Sequence, residues 1–203
     1  MRHYAGINIL SKIATKLCSA CYVLRNLKHI VPRSTLRTIY YAYIQSILSY
    51  GIIFWGISSN VNKLFILQKK IVRIITNSRV RESCREAFKN MQIMTLYSQY
   101  IFSLILFTVK NKPLFTPNNE IHKYKTRNNT NLQLPTVNIT KYYKGPYISG
   151  LKAFNHLPLH IKSLANDMKS FKTSLKRFFI ITLFTQLKNT MNIMMTRACK
   201  YLL

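Results

Sequence analysis

The chain has 203 residues, 48% apolar and 12% aromatic, enough to bury one or two small cores and too apolar for a disordered polybasic tail. It carries 31 Lys and Arg against four Asp and Glu, a formal net charge of +27. A chain this basic repels itself unless a polyanion is near, which points to phosphate backbones first and an anionic membrane surface second, and away from small-molecule chemistry.

In chain order, residues 7–29 are expected to form a helix, with Ile9, Ile13, Leu17, Leu24 and Leu27 near one face and Lys12, Lys16 and Lys28 elsewhere. Val31-Pro32 breaks it. A second helix is expected over 33–56, where Leu36, Ile39, Tyr40, Tyr43, Ile47 and Tyr50 keep helical spacing. Its second half is apolar nearly all round, as in a helix buried on most sides or in contact with lipid. A third helix is expected over 60–77, with Leu64, Leu67, Ile71, Ile74 and Ile75 in a stripe and Lys69, Lys70 and Arg73 off it. A short helix is expected over 82–90, and an apolar one over 95–110 that ends before Pro113.

From 111 to 146 helical periodicity stops and Asn, Thr, Lys and Pro dominate, which reads as a long exposed linker punctuated by Pro113, Pro117 and Pro135. Short helices are expected over 147–165, interrupted at Pro158. An amphipathic helix is expected over 168–187, with Met168, Phe171, Leu175, Phe178 and Phe179 on one side and Lys169, Lys172, Lys176 and Arg177 mostly on the other. The expected fold is all-α: a helical region over 1–111, a basic linker over 112–146, a small helical region over 147–187, and a tail over 188–203 with no readable structure.

The chemistry is notable first for what it lacks. Two-metal nucleotidyl transfer requires several carboxylates converging on a metal pair. Only Glu82, Glu86, Glu120 and Asp167 exist, and no two Asp are adjacent. Glu82 and Glu86 sit among Arg79, Arg81 and Arg85 and are expected to form salt bridges. Cys18-x-x-Cys21 has half the spacing of a zinc site, but no second pair completes it, and His156 and His160 flank Pro158; the cysteines read as small core residues. With only five glycines there is no phosphate-cradling loop, and no nucleophile elbow is present. No catalytic residue, metal or other cofactor is expected. Cys18, Cys21, Cys84 and Cys199, in a chain without a secretory signal, read as reduced thiols in an intracellular protein.

The positive signal is cations interleaved with aromatics. Lys63, Lys69, Lys70 and Arg73 decorate the third helix. Lys123, Lys125 and Arg127 surround Tyr124, and Lys141 and Lys144 flank Tyr142 and Tyr143. Lys and Arg neutralise phosphates, and exposed tyrosines stack on unpaired bases, although any one tyrosine is more often a half-buried core residue. These nine cations are the candidate nucleic-acid contacts, without sequence-specific reading. Charge reversal at Lys69, Lys70 and Arg73 is expected to weaken binding and leave the fold intact, because all three lie off the apolar stripe. The alternative is a membrane protein anchored by residues 36–57, a stretch near spanning length whose one charge is Arg37.

The order of segments resembles the region downstream of the catalytic palm in jockey-like non-LTR retrotransposon reverse transcriptases. The resemblance rests on LRTIYYAYIQSILSYGIIFWG from Leu36, LFILQKKIVRIITNS from Leu64, CREAFKNMQIMTL from Cys84, HKYKTRN from His122, YKGPYISGLKAFNHLPLHIKSL from Tyr143 and SFKTSLKRFF from Ser170. It covers about residues 10–180. It implies a thumb and C-terminal extension that hold template and duplex against a separate palm, with Lys69, Lys70 and Arg73 and the YKTR segment facing nucleic-acid backbone. Phe154 departs from the Trp or Tyr common at its place in the family, and the sequence after about 180 does not resemble the family's ending.

Overall fold

The structure is a computed structural model and describes residues 2–79, 81–121, 131–136, 140–143 and 145–181. Its described residues form an all-α fold with no β-sheet. The chain divides into two compact units, Met1–Tyr100 and Ile101–Leu203.

In the N-terminal unit α1 (Arg2–Leu27) packs along α5 (Val61–Thr76). The α1 stripe of Leu10, Ile13, Leu17, Ala20 and Leu24 is buried. The Leu27 carbonyl accepts the N–H groups of Ile30 and Val31, and Pro32, extended at φ −65° and ψ 157°, starts the next helix. That helix is less simple than its periodicity predicts. It runs as α2 (Arg33–Ile39), a π-helical turn (Tyr40–Ile44) and α3 (Gln45–Ser49). It stops where Gly51 takes the left-handed conformation at φ 61°, which glycine alone adopts without strain. A one-turn helix α4 (Ile52–Trp55) follows, and the Trp55 indole N–H donates to the Tyr50 carbonyl at 2.8 Å to close the corner.

Gly56 ends this corner against the Tyr100 ring. A Cβ there would strike that ring and lie 2.6 Å from the Ile52 carbonyl. Both glycines of the LSYGIIFWG block therefore have backbone reasons. Leu36, Tyr40, Ile44, Leu48, Ile52 and Trp55 are buried within the protein, and no helix of the described residues is long and apolar enough to cross a membrane. The continuous apolar span expected over 36–57 is interrupted at Tyr50–Gly51, so the anchor built on it has no unbroken helix to stand on.

The core face of α5 is rotated slightly from the expected stripe. Val61, Leu64, Gln68, Ile71, Val72 and Ile75 are buried, while Leu67 and Ile74 flank them half-buried. Asn77 ends α5 in the left-handed conformation at φ 54°. Helix α6 (Arg85–Asn90) is shorter than the expected 82–90 because residues 81–84 form a turn. Helix α7 (Leu96–Lys110) is capped by Thr95, whose hydroxyl accepts the Ser98 N–H at 3.2 Å.

In the C-terminal unit the region expected as an exposed linker is partly folded. A 3-10 turn at Lys112–Leu114 leads to buried Phe115, whose ring lies 4.7 Å from that of Tyr147. Pro117 and Leu132 form an antiparallel bridge, with the N–H of Asn118 on the Asn131 carbonyl and that of Gln133 on the Thr116 carbonyl. Leu132 is buried, and the Asn155 amide clasps both its N–H and its carbonyl at 2.9 and 2.8 Å. The composition of this segment is polar, but its two apolar side chains suffice to seat it.

Short helices α8 (Asn118–Ile121) and α9 (Thr140–Tyr143) precede α10 (Pro146–Asn155) and α11 (Leu159–Lys162). Gly150 of α10 lies against Thr108 and the Leu104 carbonyl of α7, too close for any side chain. The final described helix, α12 (168–181), buries Phe171, Leu175 and Phe179.

Candidate nucleic-acid interface

Helix α5 places its four candidate cations opposite its buried residues, as 3.6-residue periodicity requires of positions 63, 69, 70 and 73 against 61, 64, 68, 71, 72 and 75. The four are not equivalent. Lys63 and Lys70 are exposed. Lys69 is half-buried, with its ammonium 4.4 Å from the centre of the Phe65 ring. Arg73 is also half-buried and donates to the Glu82 carbonyl at 3.1 Å, while its Nε is enclosed without a partner. Both border Cys84, whose Sγ lies 3.9 Å from the Lys69 carbonyl; burial pushes this thiol up, and Arg73 and Lys69 pull against that.

Arg73 thus braces the turn at Glu82 as well as carrying charge. Glu82 is not seen in the expected role: its carboxylate accepts the backbone N–H of Arg79 at 3.1 Å and closes a turn.

A contributor that the sequence reading missed lies on α1. Burial pushes the Cys21 thiol up, and Lys70 and Arg25 act on it in the opposite sense. Lys28 donates to Asn77 at 3.4 Å, tying the residue after α1 to the end of α5. Exposed Arg25 of α1, the helix packed along α5, thus acts with Lys70 on one and the same thiol. No local periodicity shows this, because the seam is made by residues 49 apart. Exposed Tyr22 on α1 and Ile66 on α5 interrupt the cations with apolar surface. Of the cysteine pair read as core, Cys21 is buried but Cys18 is exposed. Among the described residues no group of His, Cys, Asp and Glu is placed to hold a metal ion.

The second group of candidates is only partly visible. Lys123, Lys125, Arg127 and Lys144 lie outside the described residues, and Lys141 falls on α9. Tyr142 is exposed. Tyr143 is half-buried beneath Lys152, whose ammonium sits 3.5 Å from the ring centre, so its face is already covered. Lys162 donates to the Asn131 side chain and the Asn155 carbonyl, each at 2.8 Å, and burial lowers its pKa. In this unit some lysines are thus structural, whereas Lys169, Lys172, Lys176 and Arg177 on α12 are exposed.

No family model matches the chain, and no curated protein or solved structure matches it.

Proposed function

We propose that the chain corresponds to the thumb and downstream region of a non-LTR retrotransposon RNA-directed DNA polymerase, without the catalytic palm. By itself it is a helical module that binds RNA or DNA backbone non-specifically and catalyses nothing. The observation that carries the binding reading is the polar face of α5: Lys63 and Lys70 are exposed opposite its buried face, and the whole chain offers only four Asp and Glu to neutralise them. Mobile anions around such a face are held only loosely, whereas a phosphate backbone neutralises it and releases its own condensed cations. The polymerase assignment is supported by the six ordered segments, and the backbone roles of the two glycines in LSYGIIFWG are compatible with it.

Affinity for RNA and duplex DNA as a function of salt tests the binding reading. The logarithm of affinity should fall steeply with that of salt. K63A/K70A should reduce the slope by about 2 and leave the melting temperature in place. Affinity that is the same at low and physiological salt overturns the reading. Sequencing the DNA upstream of the first codon tests the parentage: an in-frame palm with paired aspartates supports it, and unrelated coding sequence removes it.

A further inference from the structure

We propose that Tyr22 and Arg25, on the solvent face of α1, form a subsite for one unpaired nucleotide, the tyrosine ring stacking on the base and the guanidinium taking a phosphate. This rests on the nucleic-acid reading above and adds to it a partner class, a single strand, that the lysines of α5 do not select. Among the described residues the N-terminal unit exposes four large aromatic side chains, Tyr22, Tyr43, Tyr50 and Phe54. The last three fall between Arg37 and Lys63, a stretch with no charged side chain. Of the four, only Tyr22 has a cation within one helical turn. Arg25 follows it at a spacing of three, which sets the two Cβ atoms about 5–6 Å apart on one face of the helix. A ring and a guanidinium so placed match a base and its own phosphate, the first by its face and the second by charge-assisted hydrogen bonds.

Both side chains are accessible. Tyr22 is 68% exposed and Arg25 is exposed, and among the described residues neither side chain makes a hydrogen bond, ion pair or ring contact. The exposed neighbours of Tyr22 one turn away, Cys18, Ser19 and Asn26, are short and leave the faces of the ring open. Arg25 acts on the Cys21 thiol, but burial pushes that thiol up, so it is neutral at neutral pH and does not compensate the guanidinium. No Asp or Glu precedes Glu82 in the chain, and α1 also exposes Lys12 and Lys16. The surroundings therefore favour a polyanion. A helix that lies on a membrane keeps its apolar face free for lipid. Here Leu10, Ile13, Leu17 and Leu24 are buried, and α1 packs along α5. Within a duplex each base is covered on both faces by its neighbours, so a strand with unpaired bases is the partner that offers a face to the ring.

The test uses the full chain, a single strand and a duplex of equal length, and vesicles containing phosphatidylserine. Y22A should lower affinity for the single strand about fivefold or more. It should leave the salt slope unchanged, because no charge is lost, and leave duplex affinity in place. Y22F and Y22W keep a ring and should restore binding, whereas Y22L, which keeps apolar bulk without a ring, should not. R25A should lower the single-strand salt slope by about 0.7. Helical content should be the same in every variant, since both side chains face solvent. If the wild type binds the single strand and Y22A binds it equally well, the subsite is refuted while the α5 reading survives. Wild-type affinity in Y22L, or equal losses on strand and duplex, refutes stacking, and a loss confined to vesicles gives Tyr22 to lipid instead. A wild-type chain that binds neither nucleic acid in dilute buffer overturns both proposals.

Discussion

Each compact unit is locked by one side-chain amide that reaches a distant backbone segment, and the two locks differ in depth. In the N-terminal unit Gln68 is 1% exposed. Its Nε2 donates to the Tyr40 hydroxyl at 2.9 Å and the Met94 carbonyl at 3.0 Å, and its Oε1 accepts the Leu96 N–H at 2.9 Å. In the C-terminal unit Asn155 clasps Leu132 in the same two-handed way, but it is only half-buried. A buried amide with every group satisfied specifies one arrangement, because each lost partner leaves a polar group without water. At a half-buried site, water replaces the missing partner. The N-terminal unit is therefore organised around a polar core that tolerates no truncation, and the C-terminal unit around a seam that tolerates some.

The largest effect expected from this contrast comes from Q68A. It strands the Leu96 N–H, the Met94 carbonyl and the buried Tyr40 hydroxyl at once, and should cost about 3–5 kcal/mol in urea unfolding. N155A should cost about 1–2 kcal/mol, since solvent reaches the Leu132 groups it uncovers. Equal losses at the two sites would remove the distinction between a core lock and a surface seam.

A smaller effect separates the two kinds of cation on α5. R73A deletes the bond to the Glu82 carbonyl and the packing of its stem, and should cost about 1 kcal/mol. Faster hydrogen exchange at 81–84 should accompany it. K63A/K70A should leave both stability and exchange there unchanged. If R73A leaves the loop as it was, Arg73 belongs with the exposed cations and its contact with Glu82 carries no weight.

These contrasts show what a sequence reveals of such a chain. Helices α1, α5, α7 and α12 were legible because their apolar residues recur with helical period, and the exposed lysines of α12 follow from Phe171, Leu175 and Phe179. The corner at Gly51 was not, since an apolar run from Ile44 to Ile57 hides a backbone reversal that only the left-handed glycine betrays. Gln68 was invisible for a different reason. A glutamine between Leu67 and Lys69 reads as surface, and its partners lie 26 to 28 residues away. The folded part of 112–136 was missed because Phe115 and Leu132 are too sparse to form a period, and their seat is supplied by Tyr147 and Asn155. At the candidate interface the sequence reading put the cations off the buried face of α5, and there they lie. It did not separate those that brace a loop from those that face solvent, which is a tertiary distinction.

The smallest effect is a divergence of the two units at alkaline pH. In the N-terminal unit burial raises the thiols of Cys21 and Cys84 from their ordinary 9.0 and the hydroxyls of Tyr40, Tyr41 and Tyr97 from 10.0. Above those ordinary values the unfolded chain has released protons that the folded unit keeps. The unfolded state then binds fewer protons, and stability falls as pH rises from about 9. Lys162 in the C-terminal unit works in the opposite sense. Burial lowers it from 10.5, so just below that pH the unfolded chain keeps a proton the folded unit has lost, and stability rises with pH up to 10.5. Trp55, the chain's single tryptophan, reports the N-terminal unit by fluorescence. Its melting temperature should drop between pH 9 and 11, and Y40F should flatten the part of that drop above 10. The helical signal that remains after the Trp55 transition should hold or rise up to pH 10.5, and K162M should abolish the rise. A parallel fall in both signals would mean that Lys162 is solvated in the native state, and the contrast in burial between the two units would then not extend to their titrating groups.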